Sequence, residues 1–153
     1  SLAHARAILE GALQGGVPVW LSVTVDDEDG SRLRSGEPTA DLCAIAAGGA
    51  SAVLANCSAP EAMAAALDAL SACGLPRGAY ANGFTRITKD FLKDNPTVDS
   101  LKPRRDLGPE NYARFAMEWV RGGATIVGGC CETGPAHIAE LARALKAAGH
   151  TIV

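Results

Sequence analysis

The residues best suited to chemistry are cysteines, five of them in 153 residues. No basic, apolar secretory leader opens the sequence. In a reducing compartment such thiols read as metal ligands, nucleophiles or buried side chains before they read as disulfides. Cys130 and Cys131 are adjacent, in Gly128-Gly129-Cys130-Cys131-Glu132-Thr133, and Cys57 sits in Asn56-Cys57-Ser58. Neighbouring side chains of a regular strand point to opposite faces and cannot share a target. Two glycines immediately before the pair free the backbone and relax that restriction. Nor do consecutive cysteines readily join each other. Their Cα atoms lie about 3.8 Å apart, below the usual disulfide minimum of about 4.4 Å. A clamp on a soft metal suits the pair better. With Cys57 it makes three thiolates and one position left over, the arithmetic of catalytic zinc. Spacing alone leaves open the alternative that these thiols are small buried hydrophobes. That alternative is preferred for Cys43, mid-helix among alanines, and for Cys73, in a last helical turn.

Asn82 ends a third strand segment and faces the same mouth, although an asparagine opening a loop before glycine is common. His137 falls in the first turn of a helix, where capping or packing is the expected role; His4 and His150 lie on terminal segments without a signal. There is no glycine-rich phosphate loop, nucleophile elbow or HExxH sequence.

The elements that must position these residues alternate strictly. Residues 17–25, VPVWLSVTV, read as a strand buried on both faces; residues 52–56, 78–82 and 124–129 supply three more apolar runs. Between them, Thr39–Ala47, Pro60–Ala72, Pro109–Arg121 and Pro135–Ala148 carry helical periodicity. The second puts Met63, Leu67 and Leu70 on one face; the third puts Tyr112, Phe115, Trp119 and Val120 there. The last opens with Pro135 behind Thr133 as expected N-cap and turns Ile138, Leu141 and Leu145 inward. A leading helix, Leu2–Leu13, faces inward with Leu2, Ala5, Leu9 and Leu13. Helix first and then four strand–helix units argue a parallel α/β sheet with helical crossovers. It is either a small open sheet or half of a (β/α)8 barrel, which needs eight such units. In either case the C-terminal strand ends open on one face, where Cys57, Cys130 and Cys131 converge.

One connection is out of proportion. Gly83–Gly108 is charged and aperiodic, and reads equally as a functional loop or as a solvated surface excursion. The net charge of −3 predicts neither a nucleic-acid nor an anionic-membrane partner. Hydrophobic residues at 48% and charged ones at 20% belong to a globular chain, and no apolar run reaches membrane-spanning length. The expected location is the cytoplasm.

The stretches AVLANCS, YANG and ATIVGGCCETGPAHIAEL together resemble the homocysteine S-methyltransferase family, with the likeness running along essentially the whole chain. That resemblance implies a (β/α)8 TIM barrel with zinc held by three cysteines, matched here by Cys57, Cys130 and Cys131. Asn82 matches an asparagine that serves some members as an optional fourth ligand. It further implies that zinc activates the thiol of homocysteine to attack the methyl group of a small donor, giving methionine. The methyl donor is left undetermined: betaine, S-methylmethionine, S-adenosylmethionine or a folate–cobalamin partner. In relatives a fourth-strand glutamate that reads the amino-acid end of homocysteine precedes a start like Ser1-Leu2-Ala3-His4-Ala5-Arg6. Residues 1–153 therefore read as units five to eight, with the fourth helix attached and the first four units absent. Glu132 stands where many relatives have glycine. Two functions follow: the zinc half of a homocysteine methyltransferase, inactive by itself, or a non-catalytic zinc- or thiol-binding half-barrel. Either leaves open sheet edges through which the chain is expected to self-associate into a homo-oligomer.

Overall fold

The structure, a computed structural model, describes residues 1–85 and 101–153. Of the long connection Gly83–Gly108, residues 86–100 lie outside the described residues, and with them Lys89, Asp90, Lys93, Asp94 and Asp99.

Helix α1 spans Leu2–Leu13 and strand β1 Val19–Val23; a single 3-10 turn, Thr39–Asp41, leads into α2, Leu42–Ala46. Strand β2 is Ala50–Asn56, and α3, Met63–Leu70, is flanked by 3-10 turns at Pro60–Ala62 and Ser71–Cys73. Then come β3 (Arg77–Tyr80), α4 (Pro109–Arg121), β4 (Ile126–Val127) and α5 (Pro135–Ala147). The sheet runs β1-β2-β3-β4 with every neighbour parallel, the pairing the alternating sequence predicts and the order of neighbouring units in a barrel. No helix among the described residues is long and apolar enough to cross a membrane.

Period two divides the sheet into unlike faces. Leu21, Val53, Ala55 and Ala79 join Leu9, Leu42, Met63, Leu67, Leu70, Tyr112 and Trp119 in the core under the helices. The opposite face carries Trp20, Ser22, Asn56 and Tyr80 beside the buried Ala52 and Leu54, and at its β1 side it is open to solvent: Trp20 is 59% exposed. Residues 17–25 are therefore not a strand buried on both sides. The strand is shorter, Val17 is exposed ahead of it, and one face is open.

Three further expectations change. Cys43 and Cys73 are not unpaired core thiols. They form a disulfide across a sequence separation of 30, with Cα atoms 4.6 Å apart, tying α2 to the turn after α3. The N-cap of α5 is Gly134 rather than Thr133, whose hydroxyl instead donates to the Cys130 carbonyl at 2.5 Å. Ile138 is half out in solvent, because α5 packs on α4 at the end of the sheet and Leu141 carries that contact. Tyr112, Trp119 and the leading-helix residues Ala5 and Leu9 are buried as their spacing predicts.

Candidate metal centre

Three strand ends meet above the sheet, and the backbone ladder continues past the strands to hold them. Cys57 N–H donates to the Tyr80 carbonyl (3.0 Å), Asn82 N–H to Ser58 (3.1 Å) and Cys130 N–H to Ala81 (3.0 Å). Gly83 N–H donates to the Cys131 carbonyl at 2.9 Å. These bonds splice the segments after β2, β3 and β4 into one rim.

Cys57, Cys130 and Cys131 stand together on that rim, with all three sulfurs within 4.8 Å of one another. Cys57 Sγ and Cys130 Sγ each lie 3.8 Å from Cys131 Sγ. Zinc–thiolate bonds of about 2.3 Å in a tetrahedron set neighbouring sulfurs about 3.8 Å apart. The donor set therefore fits a tetrahedral metal in both chemistry and spacing.

The local conformations that aim the thiols are costly ones. Cys57 has φ +48° and Glu132 φ +64°, the left-handed region that glycine favours. At Cys57 the turn is over-determined. Arg34 Nη2 donates to the Cys57 carbonyl at 3.2 Å. The fully buried Ser58 hydroxyl donates to the Val25 carbonyl and accepts from Val25 N–H, both at 2.9 Å. Asp27 accepts from Ala59 N–H at 2.8 Å and from Arg34 at 3.3 Å. At Glu132 the required φ explains why glycine suits that position. A Cβ on Gly83 would come within 2.9 Å of the Glu132 Cβ, and one on Gly129 within 2.2 Å of the Thr133 hydroxyl. Both glycines are needed for the close approach of the rim segments.

Electrostatics without a metal disfavour the charged thiols. Burial, reinforced by the neighbouring Cys130 and Cys131, pushes the Cys57 thiol up to about 12. Burial and then the charge of Cys130 raise Cys131 as well. Gathering three thiols in one half-buried spot costs least when a cation joins them.

Asn82 is 1% exposed beside this rim. Its Oδ1 accepts from Phe84 N–H at 3.0 Å, the loop-opening role, while Nδ2 is buried without a partner among the described residues. His137 packs as expected: Nδ1 accepts from Gly134 N–H, Nε2 bonds the Leu107 carbonyl, and the ring meets Tyr112 edge-on. Arg34, Ser58 and Asp27 were not singled out by sequence. The signal was thin, since Ser58 only follows a cysteine and Arg34 and Asp27 lie in an aperiodic stretch after β1.

The model of the homocysteine S-methyltransferase family matches residues 1–145. Homocysteine S-methyltransferase 4 of Zea mays is 32% identical over 136 residues, which is 86% of this chain and 37% of the maize protein. The crystal structure of the Escherichia coli homocysteine methyltransferase MmuM in its apo form superposes with a TM-score of 0.68 at 28% identity. That match covers 94% of this chain and 46% of MmuM. Its metallated form gives 0.67 at 29% identity, over 94% and 42%. The chain thus spans less than half the length of the relatives it matches, and its parallel sheet and helices correspond to part of a larger methyltransferase barrel.

Proposed function

Because the chain belongs to the homocysteine S-methyltransferase family, we propose that it is the thiol-activating part of a zinc-dependent enzyme that methylates homocysteine to methionine. The observation that carries this reading is the sulfur triad within 4.8 Å, with two of its separations at 3.8 Å, a spacing that leaves one tetrahedral position for an exchangeable partner. Cys57, Cys130 and Cys131 would hold the metal, and Asn82 is the candidate for an optional fourth ligand. Zinc, when bound, supplies a Lewis acid that lowers the pKa of an acceptor thiol. The chain's own part is to hold three donors rigidly and to exclude competing geometries through the ladder from Tyr80 to Cys131. In the transfer, a carbon–sulfur bond forms as the methyl–donor bond breaks, its electron pair leaving with the donor.

Turnover is proposed for a protein with all eight units, since the chain spans 37% of the maize relative. The isolated chain, as units five to eight, is expected to bind zinc without turning over and to associate with a second copy through the open face around Trp20. The cytoplasm is the proposed compartment. A methyl-transfer assay with L-homocysteine tests the reading. An eight-unit protein carrying this half should lose activity on zinc removal and regain it on zinc addition. Activity indifferent to zinc would overturn it.

A further inference from the structure

The backbone that carries the cysteine pair has little of its own to fix it. Strand β4 ends at Val127, and Gly128 and Gly129, which have no side chains to pack, come between it and Cys130. One side chain bridges this stretch from the helical layer. Tyr112 of α4 is fully buried, and its hydroxyl lies 2.8 Å from the Gly128 carbonyl and 3.1 Å from the Ala81 carbonyl. Both partners only accept, so the phenol donates, its single proton shared between them. Gly128 N–H donates to Ala79 at 3.2 Å and Cys130 N–H to Ala81 at 3.0 Å. Between these two rungs the Gly128 carbonyl takes its hydrogen bond from Tyr112. The hydroxyl therefore closes the junction between the segments that follow β3 and β4.

The ring is held on two sides. It meets Trp119 of its own helix edge-on, with centroids 5.8 Å apart, and His137 of α5 at 5.9 Å. His137 is itself fixed in one tautomer. Its Nδ1 accepts from Gly134 N–H at 3.1 Å, so the proton lies on Nε2, which donates to the Leu107 carbonyl at 3.0 Å. A phenylalanine at position 112 would fill the same space without burying a hydroxyl. What the oxygen adds is a donor for two carbonyls where the strand ladder gives out.

We propose that Tyr112 is a positioning residue for the metal centre. Through the Gly128 and Ala81 carbonyls it sets where Cys130, and with it Cys131, presents its sulfur. The metal itself rests on the proposed function; the part played by α4 goes beyond it.

Tyr112→Phe keeps the ring and removes the proton. Zinc affinity of the purified chain, measured by competition with a chromophoric chelator, should fall about 10-fold, the lower end of the loss for outer partners of metal ligands. With cobalt(II) bound instead, the thiolate-to-metal absorption bands should shift, since they report how the sulfurs are arranged. Thr39→Val is the control. Thr39 is equally buried, and its hydroxyl likewise donates to a carbonyl, that of Gly30 at 3.1 Å, but on the turn before α2. It should lose comparable stability in urea and leave both metal readouts where they are. Unchanged zinc affinity and an unchanged cobalt spectrum in Tyr112→Phe overturn the assignment. So does an equal loss in Thr39→Val, which would make the effect one of stability alone. No zinc bound by the unsubstituted chain removes the proposed function, and this role with it.

Discussion

Two sulfur clusters occupy this chain, and the same element has opposite fates in them. Cys43 and Cys73 sit in the helical layer and are closed on each other as a disulfide. Cys57, Cys130 and Cys131 sit at the strand ends, with their sulfurs within 4.8 Å of one another, and remain open. What separates them is the backbone beneath. The closed pair is carried by α2 and by the 3-10 turn that follows α3. The open triad is carried by a hydrogen-bonded rim and by a left-handed residue at Cys57, which together hold three sulfurs within 4.8 Å of one another. Proximity of thiols is thus common to a staple and a metal site; directional rigidity distinguishes them.

The largest expected effect tests that distinction directly. Replacing Cys57, Cys130 or Cys131 singly by Ser should empty the site of zinc at micromolar metal. Cys43→Ser and Cys73→Ser should each retain about one zinc per chain, as metal analysis of the purified proteins would report. Equal loss from all five would erase the difference between the clusters. Next in size, opening the disulfide should lower stability by about 3–4 kcal/mol, the loop-entropy figure for a separation of 30. Urea unfolding with and without reductant, on protein kept zinc-loaded, would measure it.

The pH response sharpens the comparison further. Cys57 is pushed up to about 12 when no metal is bound, whereas an unfolded cysteine titrates near 8.5. A raised folded value means the folded chain holds its proton longer than the unfolded one. Its stabilising contribution is complete below about 8.5 and is lost as pH climbs from there toward 12. The metal-free chain should therefore weaken over that alkaline window in melting experiments, and the Cys57→Ser chain should weaken less. Smaller still, Glu132→Gly should stabilise the chain by about 0.5–1 kcal/mol. Relief of the left-handed conformation there outweighs the added chain entropy of glycine. The smallest effect is expected from Asn82→Ala, which should keep zinc while changing its resting coordination, visible at the zinc absorption edge.

The parallel order of the sheet and the convergence of the three cysteines were legible because both follow from periodicity and from where apolar runs stop. The 3.6-residue spacing of α4 and the proline starts of α4 and α5 gave those helices to within a residue. The strand limits were less legible. Val17 and Trp20 are as apolar as core residues, and nothing in one sequence says which sheet face lacks a cover. The Cys43–Cys73 bridge was hidden for a similar reason. A cysteine among alanines looks like any small core residue until the turn after α3 brings its partner within 4.6 Å. Arg34 was out of reach because its role depends on a carbonyl 23 residues away.

One residue on the rim links the site to the surface. The N–H of Gly83 grips the Cys131 carbonyl at 2.9 Å, and its own carbonyl accepts from Arg104 N–H at 2.7 Å. Arg104 in turn is clamped by Glu61 at 2.7 Å and Asp106 at 2.6 Å. A continuous relay of hydrogen bonds and ion pairs thus runs from the Cys131 carbonyl to a charged patch on the outside of the molecule, so the patch and the thiol rim share one scaffold.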